Sequence, residues 1–135
     1  MASLFTRIIN GEIPCYKVAE DERYFAFLDI NPLNEGHTLV VPKKEVDYIF
    51  DLDDETYVGL MLFSKRVASA IEKEIPCVRI GVAVVGLEVP HVHVHLVPMN
   101  TMEDISFKKP KLKLTPEQFQ SIAQKIAKRF SESDK

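Results

Sequence analysis

The stretch that most constrains the fold lies between Pro90 and Pro98, where three of the four histidines of the chain alternate with aliphatic residues. On a helix, a two-residue step would turn His93 away from His91 and His95. On a strand, all three imidazoles share one face. The intervening valines favour a strand and the two prolines bound it. The sequence therefore predicts a half-buried strand with an apolar face on the core and three histidines on the other face.

Length and composition limit the class of protein. A chain of 135 residues can form one domain, and we expect a single domain over 1–135, with a core over about 3–98 and a C-terminal extension and helix over about 99–131. The net charge of −3 argues against a nucleic-acid binder. Apolar runs are too short for a membrane span, and a signal-peptide pattern is lacking. Cys15 and Cys77 form no disulfide framework, so we expect reduced, buried cysteines in a cytoplasmic protein.

Hydrophobic periodicity and turn residues predict an α+β fold with an antiparallel sheet of about five strands, one long central helix and a C-terminal helix. Ser3 and a capping box at Thr115 mark two helix starts. A tight connection over 85–88 precedes the histidine strand, and the helices are expected on one face of the sheet. The predicted elements are a helix over 4–9, strands over 15–19, 24–28 and 37–42, a helix from 53 or 54 to about 74, a strand over 78–84, the histidine strand and a final helix after 115.

The three clustered histidines allow three explanations. They could form a polar strand edge that faces solvent. They could bind zinc as a His-x-His pair with a further ligand such as an aspartate or His37, although the Cα atoms of His91 and His95 would lie about 13 Å apart on a strand. They could also perform nucleophilic catalysis, because a neutral imidazole attacks phosphorus readily and its ordinary pKa is about 6.5. A neighbouring imidazole can then hold phosphoryl oxygens or assist proton transfer to the leaving group.

The same residues resemble the histidine triad family of nucleotide hydrolases and transferases, whose signature is His-x-His-x-His followed by apolar residues. Three upstream segments are similar to the family in order and spacing, and together they cover most of 3–98. The third histidine of the signature resembles the hydrolase branches rather than the uridylyltransferase branch. The upstream segments are Ile-Ile-Asn-Gly-Glu-Ile-Pro at 8–14, Ala-Phe-Leu-Asp-Ile-Asn-Pro at 26–32 and Gly-His-Thr-Leu-Val-Val-Pro at 36–42.

The resemblance implies an α+β fold, usually as a homodimer, and attack by His93 on the α-phosphate of a nucleotide. A covalent nucleotidyl-histidine would form, and water would release a nucleoside monophosphate. By the same resemblance, His95 would hold phosphate oxygens and His91 would orient His93, partly through its backbone carbonyl. His37 would support the triad, although its position alone fits a surface residue at a strand start.

The resemblance also implies a nucleotide-binding set. Asp29 would accept hydrogen bonds from the ribose hydroxyls, although an aspartate after a strand is commonly a turn former. Glu88 and Val89, directly before the triad, complete the set. Five apolar residues would form a slot for the base, although their pattern alone fits plain core: Phe5, Ile8, Phe27, Ile30 and Leu39.

Two departures from the family pattern bear on metal and phosphate binding. Where many members carry Cys-x-x-Cys for zinc, this chain has Ser-Leu-Phe-Thr at 3–6, so we expect no structural zinc. The segment before the triad is short, and Leu87 replaces an expected glutamine while Glu88 replaces a serine or threonine. The charge of Glu88 would disfavour a nearby phosphate. Four lysines, at 108, 109, 111 and 113, form either a solvated loop or a site that attracts substrate phosphates.

The leading hypothesis is a nucleotidyl hydrolase or transferase that needs no cofactor and acts on purine nucleoside phosphoramidates or dinucleoside polyphosphates. Its expected partners are a small nucleotide substrate and a second copy of the chain, without nucleic acid or membrane. One rival is a nucleotide-binding regulatory module with little turnover. The other is a metal-dependent enzyme that uses His91, His93 and His37.

Overall fold

The computed structural model describes residues 2–133 and contains a five-stranded antiparallel sheet with helices on its faces. The strands lie in the order β1-β2-β3-β5-β4, and the predicted α+β fold class is confirmed. The strands are β1 (Lys17–Glu20), β2 (Tyr24–Leu28), β3 (Thr38–Pro42), β4 (Arg79–Ala83) and β5 (Val94–Met99). The helices are α1 (Leu4–Ile9), α2 (Asp54–Glu74) and α3 (Pro116–Glu132), and two 3₁₀ turns lie at Ile49–Asp51 and Met102–Ile105.

Side-chain caps set where the helices begin. Ser3 Oγ accepts the backbone N–H of Thr6 at the start of α1, and Asp53 caps α2 in the same way. Thr115 and Gln118 form a reciprocal capping box at α3, with proline at its first turn. These helix starts are the ones that the sequence predicted.

Alternating residues of the central strands face two separate apolar clusters. Val40 of β3 and Leu96 of β5 face the larger cluster, which α2 and α3 cover. Phe25 and Phe27 of β2 face the opposite side, where they pack with Phe5 of α1. The prediction of helices on one face therefore holds for α2 and α3, while α1 covers the other face.

The histidine segment differs from the predicted strand. β5 begins only at Val94, because the backbone N–H of Val92 donates to Val46 O at 2.8 Å and not to a neighbouring strand. The connection from β4 spans 84–93, so it is longer than the tight turn expected there. The segment is also fully buried and not half-buried. His91, His93 and His95 are at most 7% exposed, which excludes the solvent-facing explanation.

Two smaller features complete the description of the fold. Cys15 and Cys77 are free, and each is half-buried where the sequence had predicted burial. Within the described residues, no helix is both long and apolar enough to cross a membrane.

We expect Ile126→Ala to lower the free energy of unfolding by about 2–5 kcal/mol, because Ile126 of α3 is fully buried in the larger cluster and alanine leaves a cavity. Denaturant unfolding measures the change. Lys128→Ala, on the exposed side of the same helix, is the matched control and should change stability by less than about 0.5 kcal/mol. Equal, small effects of both variants would show that α3 does not stabilise the core.

Candidate active site

A cavity of about 280 Å³ opens on the side of the sheet that α1 covers. All eight residues predicted to bind a nucleotide line it, together with His93 and His95. The predicted lining residues are Phe5, Ile8, Phe27, Asp29, Ile30, Leu39, Glu88 and Val89. Sequence reasoning missed further lining residues in the turn after α1, where Ile13, Pro14 and Cys15 carry only the signal of a proline break.

The apolar part of the cavity adjoins the histidines directly. Phe5, Phe27 and Leu39 belong to the smaller buried cluster, so they serve as core and as cavity wall at once. The Phe5 ring meets Phe27 edge-on, at a centroid distance of 5.5 Å, and meets the His93 ring at 4.9 Å. Ile30 is 64% exposed and forms the rim of the slot.

Asp29 follows β2 and places a carboxylate in the cavity. Its Oδ1 accepts the backbone N–H of Asn31 at 2.8 Å, and its Oδ2 lies 3.6 Å from His37 Nε2. Burial is the main cause that raises the pKa of Asp29. The side chain therefore closes a turn, which is one of the two roles considered from the sequence, and it also lines the cavity.

Hydrogen bonds fix the tautomers of His37 and His95. The backbone N–H of Leu33 donates to His37 Nδ1 at 3.0 Å, so in the neutral ring Nε2 carries the hydrogen. That Nε2–H donates to His95 Nδ1 at 3.0 Å, which leaves the hydrogen of His95 on its own Nε2. The ring of His95 can thus donate a hydrogen bond.

His91 and His93 are fixed by backbone carbonyls. A carbonyl oxygen only accepts, so His91 Nε2–H donates to Pro42 O at 2.7 Å, and Nδ1 of the same ring faces Ser3 Oγ at 2.7 Å. His93 Nδ1–H donates to His91 O at 2.8 Å. In the neutral ring, Nε2 of His93 then carries no hydrogen and keeps a free lone pair.

Burial keeps most of this cluster neutral. It lowers the pKa of His37 to about 3 and that of His95 to about 4, with a neighbouring histidine adding to each shift. It lowers the pKa of His91 as well. The approach of His37 to Asp29 is therefore not an ion pair at pH 7.

A second cavity, of about 330 Å³, adjoins the first at His93 and His95. Phe107 and Lys111 line it, and the Phe107 ring meets the His95 ring edge-on at 4.8 Å. The stretch that contains both residues has no periodicity, so sequence reasoning had no signal for them. Among the four lysines predicted as solvated or phosphate-attracting, Lys111 lines this cavity, while Lys109 bonds Asn34 and Asp104.

Among the described residues, one group of three could bind a metal ion. Potential ligand atoms of Asp29, His37 and His95 all lie within 4.8 Å of one another. His91 is different, because protein hydrogen bonds occupy both of its ring nitrogens. A metal site built on His91 and His93 would require these bonds to break.

Comparisons with known proteins identify the family. A sequence model of the HIT domain matches residues 10–102, more than half of the chain. The adenosine 5'-monophosphoramidase of Schizosaccharomyces pombe is 31% identical over 132 residues, which cover 96% of this chain and 99% of that protein. This chain therefore belongs to the histidine triad (HIT) family, and the resemblance found in the sequence is confirmed.

Solved structures share the fold over nearly the full chain. A Hit-like protein from Bartonella henselae, described as involved in cell-cycle regulation, has a TM-score of 0.83 at 31% identity and covers 94% of this chain and 95% of its own. A zinc-bound histidine triad family protein from Mycobacterium smegmatis has a TM-score of 0.83 at 26% identity and covers 99% of this chain and 96% of its own.

We expect the free energy of unfolding to fall as the pH is lowered from about 6.5 to about 4, because unfolded histidines bind protons there while folded His37 and His95 stay neutral. Well above pH 6.5 both states are unprotonated at these rings, and the stabilisation is fully present. Each neutral ring adds a slope of at most about 1.4 kcal/mol per pH unit.

Denaturant unfolding between about pH 5 and pH 7 tests this dependence, since most carboxylates titrate below that range. His37→Gln, which cannot titrate, is the comparison variant. It should take up about one proton fewer on unfolding, which lowers the slope by up to about 1.4 kcal/mol per pH unit. A parent slope near zero would contradict the burial of neutral histidines.

Proposed function

We propose that the protein is a nucleotidyl hydrolase or transferase that cleaves the bond between the α-phosphorus of a purine nucleotide and its leaving group. The observation that supports this best is the composition of one cavity. It joins an apolar slot, the carboxylate of Asp29 and the ring of His93, whose Nδ1 lies 2.8 Å from His91 O.

In the first step, the lone pair of His93 Nε2 attacks the α-phosphorus. An N–P bond forms, the bond to the leaving group breaks with its electron pair, and the leaving group takes a proton from solvent. The ring becomes cationic, and its Nδ1–H remains bonded to His91 O, which stabilises that charge.

In the second step, water attacks the same phosphorus and loses a proton to solvent, and the N–P bond breaks with its electron pair on His93, which leaves as a neutral ring and releases a nucleoside monophosphate. His95 Nε2–H donates to a non-bridging phosphate oxygen in both steps, and His37 supports it by fixing its tautomer. The Nε2–H of His95 is thus already in place to stabilise the negative charge that develops on the phosphate oxygens during the reaction.

The substrate would lie with its base in the slot formed by Phe5, Phe27 and Leu39 and with its ribose hydroxyls donating to Asp29. A relative named adenosine 5'-monophosphoramidase makes adenosine phosphoramidate the first substrate to test. Dinucleoside polyphosphates are the second class, because their α-phosphorus presents the same bond type.

We expect the parent protein to release adenylate from adenosine phosphoramidate in the presence of a chelator, and His93→Ala to lose at least about 10³-fold in rate because it lacks the nucleophile. Mass spectrometry of quenched parent should detect an adenylate-sized adduct that maps to His93. Adenylate affinity of the variant serves as the control for an intact pocket.

Two outcomes of this experiment would contradict the proposal. Loss of turnover in chelator would indicate a metal-dependent enzyme, for which Asp29, His37 and His95 supply the nearest ligand atoms. Adenylate binding without release or adduct would indicate a regulatory module. The region before the triad favours that second candidate, because Leu87 is 88% exposed and offers no hydrogen bond, and Glu88 brings negative charge to both cavities.

We also propose that the protein is a homodimer in which α2 and the outer edge of β4 meet a second copy. β4 lies at the edge of the sheet, with Val82 53% exposed. On α2, Val58 and Leu62 are 53% and 58% exposed and lie one turn apart. Exposed apolar side chains beside an open strand edge favour association with another sheet.

We expect Leu62→Glu to sediment as a monomer at concentrations where the parent is a dimer, because a buried unpaired carboxylate would oppose association. Sedimentation velocity measures the change. Lys128→Glu, an exposed substitution on α3, is the control and should leave the dimer intact. A monomeric parent would overturn this proposal.

A further inference from the structure

A second polar cluster lies behind the triad, outside both cavities. Glu45 Oε1 accepts the backbone N–H of Ser3 at 2.7 Å and the hydroxyl of Thr6 at 2.6 Å. Ser3 Oγ lies 2.7 Å from His91 Nδ1, and Thr6 Oγ1 lies 3.4 Å from the same nitrogen. Two residues at the start of α1 thus meet the first histidine of the triad, and Glu45 holds both of them.

The chemistry of these groups fixes the direction of each hydrogen bond. The carboxylate of Glu45 only accepts, so the single hydroxyl hydrogen of Thr6 is used on Glu45. His91 Nε2–H donates to Pro42 O, which leaves Nδ1 of that ring as an acceptor. Ser3 Oγ also lies 3.2 Å from Thr6 Oγ1, but His91 Nδ1 is nearer, at 2.7 Å, and has no other donor among the described residues, so the hydroxyl of Ser3 donates to His91 Nδ1.

The cluster connects to the nucleophile along two routes. Through the backbone, His91 O accepts the Nδ1–H of His93 at 2.8 Å. Through α1, the helix that Ser3 caps also carries Phe5, whose ring packs on His91 and His93 at centroid distances of 5.8 and 4.9 Å. A change at Ser3 would therefore alter the support of His93 on two sides.

We propose that Ser3 and Glu45 are positioning residues for the nucleophile, holding His91 so that its carbonyl keeps the neutral His93 ring in the Nδ1–H tautomer, with Nε2 aimed into the cavity. This inference rests on the proposed function of His93. Neither residue touches the cavity, so neither is a catalytic residue. Nothing in the sequence pattern joins them, because they lie 42 positions apart.

The carboxylate of Glu45 stays ionised over the whole working range of pH. The hydrogen bonds from Thr6 and Ser3 lower the pKa of Glu45 to about 2. Ser3 itself is buried at 6% exposure, so the loss of its hydroxyl leaves His91 Nδ1 without a donor in a place that water reaches poorly.

The test compares Ser3→Gly, Ser3→Thr and Glu45→Ala with the parent. Glycine retains most of the helix-capping stability but cannot donate to His91, whereas threonine keeps the hydroxyl. Glu12→Gln, an exposed carboxylate near α1, is the control for the change in charge. The measurements are kcat, KM for adenosine phosphoramidate, adenylate affinity and the melting temperature.

We expect Ser3→Gly and Glu45→Ala each to lower kcat about three- to tenfold, which corresponds to one net hydrogen bond, with KM and adenylate affinity changed less than about twofold. Ser3→Thr should restore kcat, and Glu12→Gln should match the parent. The double variant Ser3→Gly/Glu45→Ala should lower kcat little more than either single substitution does, because the two residues act as a unit. Unchanged kcat would overturn the inference, as would kcat values that follow only the melting temperature.

A spectroscopic measurement separates this inference from the proposed function. In ¹⁵N NMR spectra of histidine side chains, Ser3→Gly should shift Nδ1 of His91 and increase hydrogen exchange at Nδ1 of His93. If the parent is inactive but Ser3→Gly still shows these changes relative to it, the proposed function is refuted and the positioning of His93 is retained. Spectra that are identical in parent and Ser3→Gly would refute the positioning.

Discussion

The structure of the site depends on the way in which two backbone carbonyls, those of Pro42 and His91, accept hydrogen bonds from imidazole rings. A carbonyl cannot donate, so each bond decides which ring nitrogen carries the hydrogen. Pro42 O fixes His91, and His91 O fixes His93. His91 thus holds the carbonyl that orients His93, and in the neutral His93 ring Nε2 is left as an acceptor at the wall of the cavity.

Burial and hydrogen bonding act together on the remaining rings. Burial makes a charged imidazole costly, which lowers the pKa of His37 and His95 far below 7. A neutral ring has one donor and one acceptor nitrogen, so the bonds from Leu33 to His37 and from His37 to His95 can run in only one direction. The same cluster therefore offers one acceptor, at His93, and one donor, at His95, next to each other.

The sequence could predict the fold because local signals and tertiary packing agree. The alternation of Val92, Val94 and Leu96 with histidines correctly predicted which side chains enter the core. It could not predict that β5 begins at Val94, since the bond from Val92 to Val46 O joins residues far apart in the chain. Regular alternation describes the directions of side chains, whereas the extent of a strand depends on which backbone groups find partners.

Which residues lie together around the cavity was predictable where the chain matches the family pattern and not elsewhere. All eight predicted nucleotide-binding residues line one cavity with His93 and His95. Phe107 and Glu45 were missed because neither a period nor a motif points to them, and Ser3 was predicted only as a helix cap and as part of the stretch that replaces Cys-x-x-Cys. Contacts of this kind arise from the packing of loops and of the first helix, which a single sequence does not encode as a local signal.

The tautomers of the four histidines in the parent protein test the central claim most directly. Long-range ¹H–¹⁵N correlation spectra at neutral pH distinguish a ring protonated at Nδ1 from one protonated at Nε2. The hydrogen-bond network predicts Nδ1–H for His93 and Nε2–H for His37, His91 and His95. A His93 ring protonated at Nε2 would leave no lone pair for attack and would contradict the account.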